Sequence, residues 1–340
     1  MKKIIVVLFA LLVYAPIQAF EQSTYWKEMG EDYVPSTQKK KYTPNYFSQS
    51  STQKYFSQQD DEESGLPKKH SFEIGAEYSD YKYREPHMDH PIKNQGKKQG
   101  ISVKYTRNSV TSSEVTADDP TFASLEFRYM TGKVDYDGWW SSFEPNGSGG
   151  YEQVFTPLQI KDEKDFYMEF AFKFGRYYQL TSSSKLWPYI GVGYRWLKNG
   201  KDEYKELDNG QYGFIYQRTS HYFYAPLGAN LAWDMSHTFC LTLNAEFDWL
   251  LRGLQNSHTS EEFSQRSSIK QNKGYGLRTS IKLDTDLGKW GIFIEPFWRY
   301  WKIQNSDKEW WYDQAGNPVL YLQEPFNTTR EYGLRAGVTF

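Results

Sequence analysis

The chain has 340 residues and a formal net charge of -2, with 40 Lys and Arg against 42 Asp and Glu, so it carries no basic field suited to nucleic acid. Hydrophobic residues make up 39 % while the mean hydropathy is -0.77, and aromatics reach 18 %, an excess suited to an interface where a ring and a polar tip are both accommodated. The single cysteine, Cys240, excludes an intramolecular disulfide and any cysteine-held zinc or iron–sulfur centre, and reads as a small strand side chain.

Residues 1–19 have the pattern of a secretory signal peptide. Lys2 and Lys3 precede an apolar core from Ile4 to Val13, and Ala19 ends the cleavage-site pattern. That core is too short for a spanning helix, and no later stretch offers the ~20 apolar residues one needs. If the mature chain enters a membrane, strands must carry it across. Residues 20–69 are rich in Gln, Ser, Lys and Tyr and repeat Tyr-Phe-Ser-Gln at Tyr46 and Tyr55. Few aliphatic side chains are available there to offset ordering entropy, so a disordered periplasmic arm is expected.

From residue 70 to 340 a period of two recurs, the signature of strands. Ten strands are predicted, near 71–83, 100–107, 122–135, 168–175, 187–197, 222–233, 241–249, 275–283, 291–302 and 331–340. Phe72, Ile74, Ala76 and Tyr78 alternate with Glu73, Gly75, Glu77 and Ser79. Met168, Phe170, Phe172 and Phe174 alternate with Glu169, Ala171, Lys173 and Gly175. The last strand sets Tyr332, Leu334, Ala336, Val338 and Phe340 against Glu331, Gly333, Arg335, Gly337 and Thr339. Connections alternate between short ones, at 181–186, 234–238 and 284–289, and long polar ones, at 84–99, 136–163, 198–221, 253–274 and 304–330. The connection at 108–121 is longer than this alternation predicts. Pro226 and Pro296 fall inside strands, where a missing ladder donor calls for a bulge or a break. They leave eight or twelve strands as alternative counts.

An aromatic carboxy-terminus closing an alternating strand resembles the assembly signal of bacterial outer-membrane barrels, as in porin-like and opacity-like proteins. The fold this implies is all-β: a closed antiparallel transmembrane barrel with an apolar face toward lipid and a polar lumen. It implies a Gram-negative outer membrane, long loops at the cell surface and the amino-terminal arm in the periplasm. The implied partners are outer-membrane lipid and lipopolysaccharide, and the barrel-assembly machinery acting on the strand that ends at Phe340. A monomer is expected, without a cofactor.

The inward positions carry eight acids (Glu73, Glu77, Glu126, Glu169, Glu246, Asp248, Glu295, Glu331) and eight bases (Lys104, Arg128, Lys173, Arg195, Arg278, Lys282, Arg299, Arg335). An open channel can leave one sign unbalanced, whereas a narrow barrel must pair its buried charges. The balance predicts a filled lumen with a structural ion-pair network.

Ten strands with five long loops also resemble the omptin family of outer-membrane proteases. The segment from Val134 to Trp139 carries Asp135 and Asp137, similar to the omptin Asp-x-Asp, and Asn256-Ser257-His258 stands where that family has Asp-x-His. The resemblance implies Asp135, Asp137 and His258 as catalytic residues of an endopeptidase acting on basic peptides. The amide of Asn256 orients and charges an imidazole less well than a carboxylate. His87, Asp89 and His90 form a candidate metal set without a fourth ligand nearby, and Trp139, Trp140, Trp310 and Trp311 are candidates for binding through the loops. The main expectation is a non-enzymatic surface, structural or ligand-binding barrel. An omptin-like endopeptidase and a small diffusion channel are the alternatives.

Overall fold

The computed structural model describes residues 70–86, 89–109, 121–147, 151–206, 210, 212–258, 266–312 and 318–340. Residues 1–69, which hold the expected signal peptide and arm, lie outside this set, as do His87 and Met88. The strands are β1 (His70–Glu85), β2 (Ile92–Asn108), β3 (Thr121–Pro145), β4 (Tyr151–Arg176), β5 (Tyr178–Thr181), β6 (Ser184–Asn199), β7 (Glu203–Glu206), β8 (Tyr212–Ile215), β9 (Arg218–Asp234), β10 (Phe239–His258), β11 (Arg266–Lys270), β12 (Gly274–Asp286), β13 (Gly291–Ile303), β14 (Glu309–Tyr312), β15 (Pro318–Leu322) and β16 (Asn327–Thr339).

Ten of these, β1, β2, β3, β4, β6, β9, β10, β12, β13 and β16, are the staves of a closed antiparallel barrel. The seam closes where β16 returns to β1, from Thr339 opposite Glu73 to Thr328 opposite Arg84. Phe340 completes it: its N–H donates to the Phe72 carbonyl at 2.9 Å, and the Phe72 N–H donates back at 3.1 Å. Closure removes every sheet edge, which allows a sheet to stand in lipid.

The burial pattern is inverted relative to a water-soluble sandwich. Phe72, Ile74, Tyr78, Ile101, Leu125, Phe170, Phe172, Phe174, Ile190, Val192, Leu227, Ile281, Ile294 and Leu334 are all exposed on the outer surface. Glu77, Ser79, Lys98, Ser102, Ser124, Glu169, Glu246 and Asp248 are buried inside. A continuous apolar belt of this size on a monomer needs an apolar solvent.

Pro226 and Pro296 break the ladder without shifting its register. The β6–β9 pairing skips from Ile190–Leu227 to Gly193–Tyr224, and the β12–β13 pairing skips from Ser280–Phe297 to Leu283–Ile294. The register shifts occur elsewhere, between Leu250 and Arg252 in β10 and between Val134 and Tyr136 in β3. On the β4 side of the latter, Asp162 takes a positive φ of 57°.

Strand bounds differ from expectation at the loop end. The connection expected at 84–99 is mostly strand, because β1 runs to Glu85 and β2 begins at Ile92. Likewise, β3 and β4 extend through most of 136–163, facing each other as far as Pro145 opposite Tyr151. The long connections also hold two small hairpins, β7–β8 and β14–β15.

Candidate functional site

Inward-facing side chains fill the lumen in layers. Nearest the short turns, Lys282 donates to Glu73 at 3.0 Å, and Arg335 reaches Glu73 at 3.2 Å and Glu295 at 2.7 Å. Beside them Lys173 binds Glu126 at 2.8 Å and also Glu246, while Lys104 approaches Glu126 at 3.8 Å. A cavity of about 410 Å³ lies among these groups and reaches the rim at Asp286 and Phe340.

The next layer is dense. Arg128 donates to Glu77 and Glu169, both at 3.0 Å, and Arg299 donates to Glu77 at 2.8 Å. Arg278 bridges Glu169, Glu246 and Asp248, and Arg195 lies 3.9 Å from Glu169. Glu331 accepts from Ser79 at 2.7 Å and from the Tyr167 hydroxyl at 2.8 Å. Arginines suit such a layer because one planar fork serves several carboxylates.

Above it the lumen closes. Lys98 pairs with Asp165, both side chains at 0 % exposure, with the Lys98 ammonium 3.5 Å above the Tyr81 ring. Met130, Tyr167, Leu197, Tyr222, Tyr224, Leu250, Trp301 and Ile303 form a buried apolar cluster across the same level. Tyr224 fits because Gly193 leaves space: a Cβ there would stand 2.1 Å from the ring. Higher still, Arg218 reaches Glu85 and Glu324, each at 3.3 Å, and the Tyr83 hydroxyl donates to Glu85 at 2.6 Å. Glu324 belongs to the connection between β13 and β16, so that connection turns into the barrel mouth.

The rim candidates are dispersed. Asp135 and Asp137 share the register of Gln95 and Lys93, on the face opposite that of buried Asn94 and therefore away from the lumen. Asp135 accepts from Lys161 at 3.0 Å and from the Asp162 N–H at 3.2 Å, and these contacts hold its carboxyl below the usual range. His258 ends β10 with its backbone opposite Arg266, and its side chain lies outside the described set. Asp89 is exposed, and the His90 ring stacks on Phe155 at 4.0 Å and sits 4.7 Å from Trp139. Among the described residues no three His, Cys, Asp or Glu side chains gather as a metal-ligand set. Trp140 packs on Leu158 and Ile160, Trp310 is exposed on β14, and the Trp311 side chain lies outside the described set. Cys240 is half-buried in β10.

Lys98, Asp165, Glu85, Arg218 and Glu324 were absent from the sequence-derived lumen set. For Lys98 a signal existed, since it continues the inward parity of Gly100, Ser102 and Lys104.

No family model matches the chain, and no curated protein matches it. Solved structures do. The outer membrane protease OmpT from Escherichia coli aligns with a TM-score of 0.51 at 10 % identity, over 81 % of this chain and 97 % of that one. The fold is that of an outer-membrane β-barrel. The toluene transporter TodX of Pseudomonas putida gives a TM-score of 0.32 at 9 % identity, over 81 % of this chain and 90 % of its own. The attachment invasion locus protein Ail of Yersinia pestis gives 0.27 at 9 % identity, over 80 % of this chain and 99 % of its own. At these identities the likeness concerns the fold alone. This barrel carries its own lumen and rim residues.

Proposed function

We propose that the mature chain is a monomeric barrel of a bacterial outer membrane, non-enzymatic, whose sealed interior is a rigid scaffold for the surface loops. The observation that carries this reading is the closed upper lumen. Ion pairs and the Met130–Trp301 cluster fill the cross-section where a diffusion channel needs water. The exposed apolar belt and the Phe340 seam support insertion by the barrel-assembly machinery among outer-membrane lipid and lipopolysaccharide. The outward direction of Asp135 and Asp137, and the engagement of Asp135 by Lys161, argue against a water-activating pair over the mouth.

One preparation tests all three readings. The refolded barrel, its fold shown by heat-shifted gel mobility, is assayed for conductance in planar bilayers and for cleavage of dibasic peptides. The scaffold reading expects neither. Cleavage that disappears in Asp135→Ala would establish the endopeptidase instead, and steady single-channel conductance would establish the channel.

A further inference from the structure

The outer surface carries one feature that the scaffold role leaves unused. Just above the apolar belt, four adjacent staves hold five cations at nearly one height. Lys82 of β1 stands opposite Arg330 of β16, and Arg84 stands opposite both Lys93 of β2 and Thr328 of β16. Thr328 in turn stands opposite Lys302 of β13, and Arg330 opposite Tyr300. All five share the outward parity of Tyr78 and Tyr332, and Arg84 and Arg330 are exposed. Neighbouring strands lie ~4.8 Å apart, so the cluster is only ~14 Å wide.

Among the described residues no carboxylate pairs with any of the five. The acids on this face of β1, β2 and β3 are Asp80, engaged by Lys97, Asp135, engaged by Lys161, and Asp137, across from Lys93. Like charges this close repel unless an anion sits among them. One step below are Tyr300 and Tyr332, then Trp298 and Leu334, with Ile294 of the apolar belt further down β13. A ligand that satisfies both levels needs multiple negative charges on top and hydrocarbon underneath.

We propose that Lys82, Arg84, Lys93, Lys302 and Arg330 bind the phosphates of a phosphorylated lipid of the outer leaflet, whose acyl chains lie on the apolar surface of β1, β13 and β16. The site rests on the outer-membrane reading above. Phosphate oxygens accept from several of the cations at once, and the two arginines bind them bidentately. A free phosphate compound would use the same cations and leave the tyrosine and aliphatic surface unoccupied. The location at the belt's upper edge therefore favours the lipid.

The test uses the full mature chain refolded in a neutral detergent, with binding followed by native mass spectrometry. Bis-phosphorylated lipid A is compared with chemically dephosphorylated lipid A and with inorganic pyrophosphate. The site predicts at least tenfold weaker binding of the dephosphorylated lipid and weak binding of pyrophosphate. It also predicts at least a tenfold loss for the phosphorylated lipid in Lys82→Gln/Arg330→Gln, and none in Lys289→Gln in a turn at the other rim. Equal binding of both lipids, or parental affinity in the double variant, would overturn the site. Pyrophosphate binding as tightly as the lipid would overturn the lipid source. Heat-shifted mobility separates the two levels: a folded barrel indifferent to phosphate removes the site alone, whereas a chain that folds in no micelle removes the outer-membrane reading as well. Should the double glutamine variant misfold, the single Arg330→Gln change gives the same comparison at smaller amplitude.

Discussion

The Lys98–Asp165 pair shows how much a single contact can matter in this lumen. Both side chains are fully buried, Asp165 also accepts from Asn199, and the Tyr81 and Tyr167 rings lie 3.5 and 5.1 Å from the Lys98 ammonium. Removing one partner leaves a charge that neither water nor a counter-ion reaches, at a cost of about 3–5 kcal/mol. Replacing both with apolar groups of similar size costs far less, because no stranded charge remains. Lys98→Met is therefore expected to lower the urea midpoint of the micelle-bound barrel substantially, and Lys98→Met/Asp165→Leu to recover most of the loss. Equal midpoints for the single and double variants would mean that packing rather than charge pairing holds this level closed.

At the scale of the element, the connection between β13 and β16 is pinned into the mouth by Glu324. The Glu324 N–H donates to the Ser306 hydroxyl at 2.7 Å, and the Ser306 N–H donates back to the Glu324 carbonyl at 2.9 Å. Its carboxylate meets Arg218 and Tyr222 from β9, Gln255 from β10, and Tyr83 and Glu85 from β1, with Tyr216 nearby. Burial, reinforced by Glu85 against the opposing pull of Arg218, pushes its pKa up to about 7. An undocked loop would return it to the ordinary 4.5. The docked state thus binds the proton more tightly. The resulting stabilisation is fully present below pH 4.5 and is lost as pH rises through about 7. Its size is about 3 kcal/mol at 1.4 kcal/mol per pH unit. Amide exchange in residues 304–308 and 323–326, corrected for intrinsic rates, should accelerate between pH 5.5 and 8.5 in the parent and stay level in Glu324→Gln. A parent whose protection is flat across that range would show that Arg218 keeps Glu324 ionised throughout.

At the scale of the whole molecule, the sequence was legible where lipid imposes its contrast. Across the belt each outward residue must be apolar and each inward one polar, so the alternation exposed Glu77, Arg128, Glu169 and Arg278 as neighbours in one lumen. Above the belt water wets the outer face, the outward residues become Lys97, Gln95 and Lys93, and the alternation fades. That is why the upper halves of β2, β3 and β4 read as loop, and why Lys98 and Asp165 escaped notice. The outward direction of Asp135 and Asp137, by contrast, was legible, because it continues the odd-numbered parity of Leu125, Phe127 and Tyr129 along an unbroken β2–β3 register. The carboxy-terminal seam lies at the other extreme, where pattern and closure coincide. Phe340 contributes two backbone hydrogen bonds to Phe72 at the end of the β1–β16 ladder, and its ring stays exposed at the rim. Removing it shortens the last ladder and bares the end of the first strand, where closure must finish. Because a barrel gains its full stability only when the first and last strands meet, losing this residue should affect assembly more than the finished fold. A chain lacking Phe340, produced in a Gram-negative host, is expected to yield several-fold less folded barrel in outer-membrane fractions, while purified chain still refolds in micelles with parental heat-shifted mobility. Equal losses in both settings would place the defect in the seam's intrinsic stability. Loss only in cells would place it in recognition of the final strand.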